Sequence, residues 1–238
     1  MIPLRDTSKS KTFPFVNYLL IATCGGVFLY ESSLGEYLET FIHRYAIIPS
    51  DTAAIVFPPE GTVHAAIRRI VHAGFAPLFP LVTSMFLHGG WMHLIGNMLY
   101  LYIFGDNVED RLGHFGYLVF YFMVGIGAGL TEVFFEQHSA IPIIGASGAI
   151  AGVLGAYFLL FPRAKILTLI PLFVFFPVIE ISAFFFLGFW FVMQFINGSL
   201  SAGTEAGGGV AWWAHAGGFV VGAALMPVFL LLRKISSR

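Results

Sequence analysis

Long runs of apolar residues follow one another along the chain, separated by short stretches that hold most of the charged residues. A helix that crosses the hydrocarbon core of a bilayer needs about 20 predominantly apolar residues, so these runs predict membrane-spanning helices. Six spans are predicted, with approximate bounds 13–31, 91–104, 115–135, 147–161, 179–196 and 211–232. The pattern therefore predicts an all-α membrane protein with a single domain, residues 1–238, and no internal repeat.

Three parts of this pattern are irregular. The second and fourth predicted spans are short, and irregular backbone at membrane depth is tolerated only against protein or a water-filled cavity. We therefore expect a cavity near their ends. The stretch 164–178 stays apolar but contains Pro171 and Pro177, which favours an interfacial or re-entrant connection over one long helix. The first external loop is long enough to have structure of its own.

Composition supports the membrane assignment and narrows the function classes. Hydrophobic residues make up 58% of the chain and charged residues 11%, whereas soluble domains are about a quarter charged. The formal net charge is -1 and no basic patch interleaves with aromatic residues, so nucleic acid is not an expected partner. The single cysteine, Cys24, supports neither a disulfide framework nor a thiolate metal site. No metal or cofactor is predicted.

The lysines and arginines predict the orientation in the membrane. Nine of the twelve precede span one, follow an even-numbered span or end the chain, whereas the loops around His138 and Gly207 have none. Because cytoplasmic loops are enriched in these residues, both termini are expected to be cytoplasmic. The N-terminal apolar run lacks a signal-peptidase-like site and is interpreted as an uncleaved first helix.

Four polar side chains are expected in one layer of the membrane. Spans two, four and six enter from the external side, and His93, Ser147 and His215 each lie near the start of one of them. Asn97 follows His93 by one helical turn on the same face. A serine becomes nucleophilic when a base lies within hydrogen-bond reach, and His215 is the one histidine in span six. We expect a Ser147–His215 dyad without a carboxylate, with His93, Asn97 and the backbone N–H of Ser147 as oxyanion donors.

Each of these features also has a simpler structural explanation. Gly148 and Gly152, like Gly218 and Gly222, have the spacing that packs membrane helices against each other. A lone serine in such a helix is usually an inert hydroxyl bonded to its own backbone. Polar residues such as Asn97 can join helices, and histidines can lie at the interface. The functional hypothesis rests on the combination, because close packing of spans four and six is what would bring serine and histidine together.

Three motifs resemble the signature motifs of the rhomboid intramembrane serine proteases. They are residues 85–98 (MFLHGGWMHLIGNM), residues 145–148 (GASG) and residues 214–219 (AHAGGF), in the family's order and on its second, fourth and sixth helices. Residues 45–49 (YAIIP) extend the resemblance into the first loop. The resemblance implies a six-helix rhomboid-like bundle of the bacterial type, with a long structured first external loop.

The resemblance also implies functional roles. Ser147 would be the nucleophile, His215 the general base, and His93 and Asn97 the oxyanion-side residues. Substrates would be transmembrane proteins cut near one end of their membrane segment, with lipid as the surroundings and the plasma membrane as the location. Two departures stand out. Phe79-Pro80 replaces a Trp-Arg pair that many members have, and Ala151 replaces a tyrosine that in some members stacks on the histidine, so other side chains should orient His215.

Span five is the expected gate, meaning the helix that moves aside to admit a substrate. It is bulky, with Trp190 among its aromatic residues, and Gln194 is nearly its only hydrogen-bonding side chain. In the family the fifth helix is likewise thought to gate lateral access. Two other classes remain open. One is a catalytically silent relative that binds membrane clients, and the other is a small transporter using Glu132 or Glu180. The sequence does not indicate an oligomeric state.

Overall fold

The computed structural model describes residues 1–59, 61–74, 76–201 and 209–236. The described part is mainly helical, and three short strands form one small sheet. In chain order the elements are β1 (Ile2–Asp6), α1 (Phe15–Ser33), α2 (Leu38–Tyr45), α3 (Pro49–Val56), α4 (Val63–Ala73), α5 (Pro80–Thr83), α6 (Trp91–Leu112), α7 (His114–Phe135), α8 (Ser147–Leu160), β2 (Lys165–Leu169), β3 (Val178–Ser182), α9 (Ala183–Ser201) and α10 (Trp212–Ser236).

The apolar helices confirm the predicted fold class of an all-α membrane bundle. By length and composition, α1, α7, α9 and α10 are each able to cross a membrane. A fifth candidate is a broken pair, in which Ala76–Phe86 meets α6 at an angle of 84°. The remaining predicted span corresponds to α8, which is apolar but has only 14 residues. The chain is therefore a multi-pass membrane protein.

The second predicted span, 91–104, covers only the first part of a longer helix. Helix α6 continues to Leu112, because the polar residues beyond 104 face protein instead of ending the helix. Glu109 is fully buried, and its carboxylate accepts hydrogen bonds from the backbone N–H groups of Val16 (3.0 Å) and Asn17 (2.7 Å). These donors lie in the first turn of α1, which has no cap from its own Pro14. A carboxylate from α6 thus caps α1 and complements its dipole.

The stretch 164–178, predicted as an interfacial or re-entrant connection and not one long helix, forms most of a β-hairpin, and the predicted start of the fifth span at 179 falls within its second strand. Strands β2 and β3 pair antiparallel, with Lys165 opposite Ser182, and β1 adds on the other side of β2. Alternate residues of β2, Ile166 and Thr168, are fully buried, which explains why the stretch is apolar without being a helix. Helix α9 begins only at Ala183, directly after β3.

The first loop has structure of its own, as expected. Helix α3 and the turn containing α5 pack against α7 through a small apolar cluster of Ile47, Ala53, Leu81 and Val133. Ile47 also pairs with Ile143 across an isolated antiparallel bridge. This bridge joins the loop to the segment that leads into α8. The first loop therefore helps to fix the chain just before Ser147.

Helix α8 lies at the centre of the bundle, and all of its residues from Ala149 to Tyr157 are buried. Glycines allow its neighbours to come close. A Cβ atom at Gly218 or Gly222 of α10 would overlap the backbone of α8, at Gly148 and Gly152 respectively. The two α8 glycines themselves face α7, because a Cβ at Gly148 would lie 2.8 Å from that of Ala128. The small residues thus pack α8 against both α10 and α7.

The two ends of the bundle are distinct. The start of α1 and the end of α6 meet through Glu109, and the side chain of Arg233 near the end of α10 donates to the carbonyl oxygen of Asp110 at 2.7 Å. The start of α1 and the end of α10 therefore lie at the same end of the bundle. Helices α6, α8 and α10 run from the other end, and their starts gather there the residues of the predicted active site.

Candidate active site

A tight turn at Gly145, in a conformation that favours glycine, positions Ser147 in the site. Gly145 has φ +119°, a conformation that side chains disfavour, and a Cβ atom there would lie 2.7 Å from Nε2 of His93. Its N–H donates to the carbonyl oxygen of Ser84 at 2.9 Å, which fixes the turn. Ser147 follows as the first residue of α8, with its hydroxyl facing α10.

His215 lies in the first turn of α10, and a buried glutamate anchors that turn. The carboxylate of Glu132 on α7 accepts a hydrogen bond from the backbone N–H of Ala214 at 2.6 Å. The first N–H groups of a helix have no partner within the helix, so Glu132 provides the missing cap and favourable charge. The residue before His215 is thereby tied to α7.

The serine and histidine side chains are within hydrogen-bond distance. Nε2 of His215 lies 2.8 Å from Oγ of Ser147, and Nδ1 lies 2.8 Å from Oε1 of Gln194 on α9. When the ring donates its Nδ1–H to the amide oxygen, Nε2 carries a lone pair and accepts the serine proton. This tautomer is the one that a general base requires.

Gln194 had no role in the sequence-based hypothesis. It is a buried polar residue on a helix whose neighbours are almost all apolar, and that contrast was the one available signal. Its pairing with His215 spans 21 positions in sequence and two helices, so only the fold could reveal it. The sequence leads us to expect that other side chains orient His215 where Ala151 offers no aromatic ring, and Gln194 is one side chain in contact with that ring.

The two residues predicted on the oxyanion side face the same space. Asn97 is buried, and its amide nitrogen has no hydrogen-bond partner in the part of the chain that the structure describes. Nδ1 of His93 accepts the N–H of Gly89 at 3.4 Å, which leaves Nε2 to carry the proton. Both residues line a cavity of about 440 Å³ together with Ser147 and His215. Two side chains that can donate N–H groups thus line the same cavity as Ser147.

Trp190, the predicted gate residue, also lines this cavity. Its ring centroid lies 6.0 Å from that of His215 and 6.3 Å from that of Phe219. Trp212 approaches His215 from another direction, with centroids 6.2 Å apart and the rings nearly perpendicular. The imidazole is therefore held between aromatic side chains from α9 and α10.

The two departures from the rhomboid motifs have structural counterparts. Ala151 is fully buried, and a Cβ at Gly218 of α10 would lie 3.2 Å from its side chain. The space beside Ala151 is therefore filled by α10, which crosses α8 closely there. Phe79 is exposed, and Pro80 begins the short helix α5, whose first position suits proline.

The two glutamates that suggested a transporter lie outside the cavity beside Ser147. Glu132 caps α10 as described above, and Glu180 lies exposed in β3, outside the helices. Neither carboxylate lines the cavity beside Ser147. Glu132 thus has a structural role as a helix cap, and Glu180 lies in the sheet.

Comparison with protein-family models matches residues 76–232 to the Rhomboid domain. This segment is more than half of the chain and contains the three motifs, the serine–histidine pair and the cavity. The chain belongs to the rhomboid family. The membership predicted from the motifs is therefore confirmed.

Individual rhomboid relatives match shorter segments. "Rhomboid protease AarA" of Providencia stuartii is 30% identical over 162 residues, which cover 63% of this chain and 55% of that protein. "Putative rhomboid protease YdcA" of Bacillus subtilis is 36% identical over 81 residues, 32% of this chain and 38% of its own length. "Rhomboid-like protein 11, chloroplastic" of Arabidopsis thaliana is 37% identical over 83 residues, 35% of this chain and 29% of its own length. This rhomboid thus spans only part of each relative.

Proposed function

We propose that this rhomboid is an intramembrane serine endopeptidase that uses Ser147 as nucleophile and His215 as general base. The observation that carries the proposal is the 2.8 Å contact between Oγ of Ser147 and Nε2 of His215. This contact lies at the wall of a cavity that Asn97 also lines, and the amide nitrogen of Asn97 has no partner among the described residues. A nucleophile, an oriented base and oxyanion donors around one space are the arrangement that acyl transfer requires. Rhomboid proteases among the relatives support the same activity.

In the first half of the proposed reaction, Oγ of Ser147 attacks the carbonyl carbon of the scissile peptide bond. Nε2 of His215 accepts the hydroxyl proton as the new C–O bond forms. Negative charge develops on the former carbonyl oxygen. The Nδ2–H of Asn97, the Nε2–H of His93 and the backbone N–H of Ser147 are the donors that can stabilise it.

The second half of the reaction reuses the same groups. When the tetrahedral intermediate collapses, the C–N bond breaks and the imidazolium of His215 gives its proton to the leaving amine. The acyl group remains on Ser147. A water molecule then attacks the ester while His215 accepts its proton. As the bond between the acyl carbon and Oγ breaks, His215 gives this proton back to Oγ of Ser147, and the carboxylic acid product leaves. The cavity beside the dyad provides space for this water.

For the substrates we propose transmembrane proteins cut near the outer face of the bilayer. The dyad lies at the end of the bundle opposite the start of α1 and the end of α10. With the cationic end on the cytoplasmic side, as the lysine and arginine pattern favours, the cavity opens near the outer leaflet. We propose the plasma membrane as the location, with both termini cytoplasmic.

A proteomic comparison tests this function without a prior choice of substrate. Membranes of cells that express either the intact chain or a Ser147→Ala version are compared for new protein termini. We expect new termini near the outer ends of transmembrane segments only with the intact chain. Identical sets of termini from the two samples would contradict the protease function.

Loss of one oxyanion donor should have a graded effect. We expect Asn97→Ala to lower kcat on a substrate identified in that comparison by roughly 10²- to 10³-fold, because one donor to the developing charge is lost. His93→Ala should lower kcat in the same range. Initial rates in liposomes measure both effects, and Asn107→Ala, at the opposite end of α6, is the control for asparagine loss. Full activity in both site variants would place the oxyanion donors elsewhere.

Trp190 is proposed as part of the gate for lateral access. Trimming it to alanine removes a ring packed on Phe219, so the folded state should lose about 2 kcal/mol or more, while an open state becomes more populated. We expect Trp190→Ala to lower thermal stability yet leave unchanged or raise the rate on a membrane-embedded substrate. A soluble peptide, which can arrive from the water side, should show a smaller effect.

Comparing the membrane-embedded substrate with the soluble peptide distinguishes a gating role of Trp190 from a role in the active site. Phe189→Ala, on the exposed side of α9, is the control for loss of an aromatic side chain from the same helix. If Trp190→Ala stays folded but loses activity equally on both substrates, Trp190 shapes the active site itself. The gate would then have to be sought on another helix.

A further inference from the structure

Helix α9 contributes a hydrogen bond to the base of the proposed dyad. The side chain of Gln194 is buried, and its Oε1 lies 2.8 Å from Nδ1 of His215. Several bulky side chains of α9 point outward, such as Phe189 and Phe195, so the buried amide is an exception on this helix. A buried polar group costs free energy unless it is paired, so the pairing fixes both partners.

The remaining contacts of the His215 ring cannot select its tautomer. Trp190 and Trp212 face the ring as aromatic neighbours, with centroids about 6 Å away, and they restrict its position without bonding its nitrogens. Ala151 provides no polar atom on the α8 side. Within the described ranges, Gln194 is thus the polar group in contact with Nδ1, and an acceptor there holds the lone pair on Nε2, toward Ser147.

We propose that Gln194 is a positioning residue that holds His215 in the tautomer and orientation needed to accept the Ser147 proton. It occupies the place that a carboxylate has in a serine triad, but with a neutral amide. As His215 becomes an imidazolium, the Nδ1–H···Oε1 bond becomes charge-assisted and strengthens in the transition state. This inference rests on the proposed protease function and adds a third member to its machinery.

The hydrogen bond between Gln194 and His215 also links α9 to the chemical step. A hydrogen bond is lost when its heavy atoms separate beyond about 3.5 Å, so a displacement of α9 by a few ångströms removes the acceptor from Nδ1. The base is therefore oriented when α9 is seated against α10. A substrate then enters while α9 is displaced, and proton transfer follows once α9 is back in place.

Two substitutions separate positioning from packing. Gln194→Leu keeps the approximate size but removes the acceptor, and Gln194→Glu keeps an acceptor and adds charge. Covalent labelling of Ser147 by a fluorophosphonate measures serine reactivity without any substrate. We expect Gln194→Leu to slow labelling and lower kcat by about 10- to 100-fold, the range found when a partner that orients a metal-bound histidine is lost, with KM within about twofold.

The pH profile distinguishes an orienting role from a structural one. A carboxylate next to Nδ1 favours the protonated ring, and the protonated ring cannot accept the serine proton. In Gln194→Glu we therefore expect substantial reactivity, with the acid limb of the labelling profile moved to higher pH. Ser199→Ala removes another polar group from α9, one bonded to its own helix, and should match the wild type.

The outcomes are separable. If the wild type is labelled at Ser147 and Gln194→Leu is labelled equally fast, the positioning role is wrong while the protease function stands. An unshifted acid limb in Gln194→Glu likewise overturns it, and this holds even if Gln194→Leu fails to fold. If the wild type is not labelled at Ser147, both proposals fail.

Discussion

Replacing Ser147 by alanine will abolish cleavage of a transmembrane substrate, and replacing His215 by alanine will do the same. Each substitution is expected to lower kcat by roughly 10⁴- to 10⁶-fold, and the double variant should lose little more, because the two side chains act as one unit. The physical reason is the 2.8 Å contact, since the hydroxyl is a weak nucleophile without an adjacent base. Single-turnover cleavage in liposomes measures all three variants.

Matched controls make this result specific. Ser199→Ala and His138→Ala remove the same side chains at positions away from the cavity, and both should cleave at the wild-type rate. Cys24 is the chain's single cysteine and is fully buried, so its reaction with a thiol-reactive dye on heating reports folding of every variant. Robust turnover by folded Ser147→Ala would end the serine mechanism.

Gly222→Val will destabilise the protein strongly and inactivate it. A Cβ atom at position 222 would overlap the carbonyl oxygen of Gly152 and lie 2.6 Å from its Cα, so α10 must move away from α8. Overpacking of this kind typically costs 1–3 kcal/mol, and rigid backbone places this site at about 3 kcal/mol or above. Labelling of Cys24 by the thiol-reactive dye should begin at a lower temperature, which reports a lower Tm. The displaced α10 should also move His215 out of reach of Ser147.

Gly26→Val is the matched control, because a Cβ atom at Gly26 of α1 meets nothing within 4 Å. It has the same change in helix propensity and in side-chain size, yet it should leave Tm and cleavage nearly unchanged. Equal loss of stability in the two variants would mean that the valine side chain itself, rather than the α8–α10 crossing, causes the effect.

The sequence predicted the features that depend on composition or on local motifs. Apolar runs of sufficient length indicate membrane helices wherever they occur, because backbone hydrogen bonds must be satisfied within the segment. The starts of α6, α8 and α10 were therefore predicted within one residue. Family membership followed from short motifs around His93, Ser147 and His215, and the comparison with family models confirmed it.

The features that the sequence missed depend on pairing between distant residues. The second predicted span ends at residue 104, but α6 continues past the buried Glu109, which caps α1 from the side. Glu132 similarly caps α10, and β2 is apolar because one face of its sheet is buried. Gln194 reaches His215 from another helix. No local pattern encodes these partners, since each is chosen by the packing of the complete bundle.

The most direct test of the central proposal is covalent labelling of Ser147 by a fluorophosphonate. The reagent forms a stable bond to an activated serine, so the purified protein is treated in liposomes and the modified residue is located by peptide mass spectrometry. We expect modification at Ser147 in the wild type, and its loss in His215→Ala, because the hydroxyl then has no base. An unmodified Ser147 in the folded wild type, or unchanged labelling of Ser147 in His215→Ala, would contradict the serine–histidine mechanism.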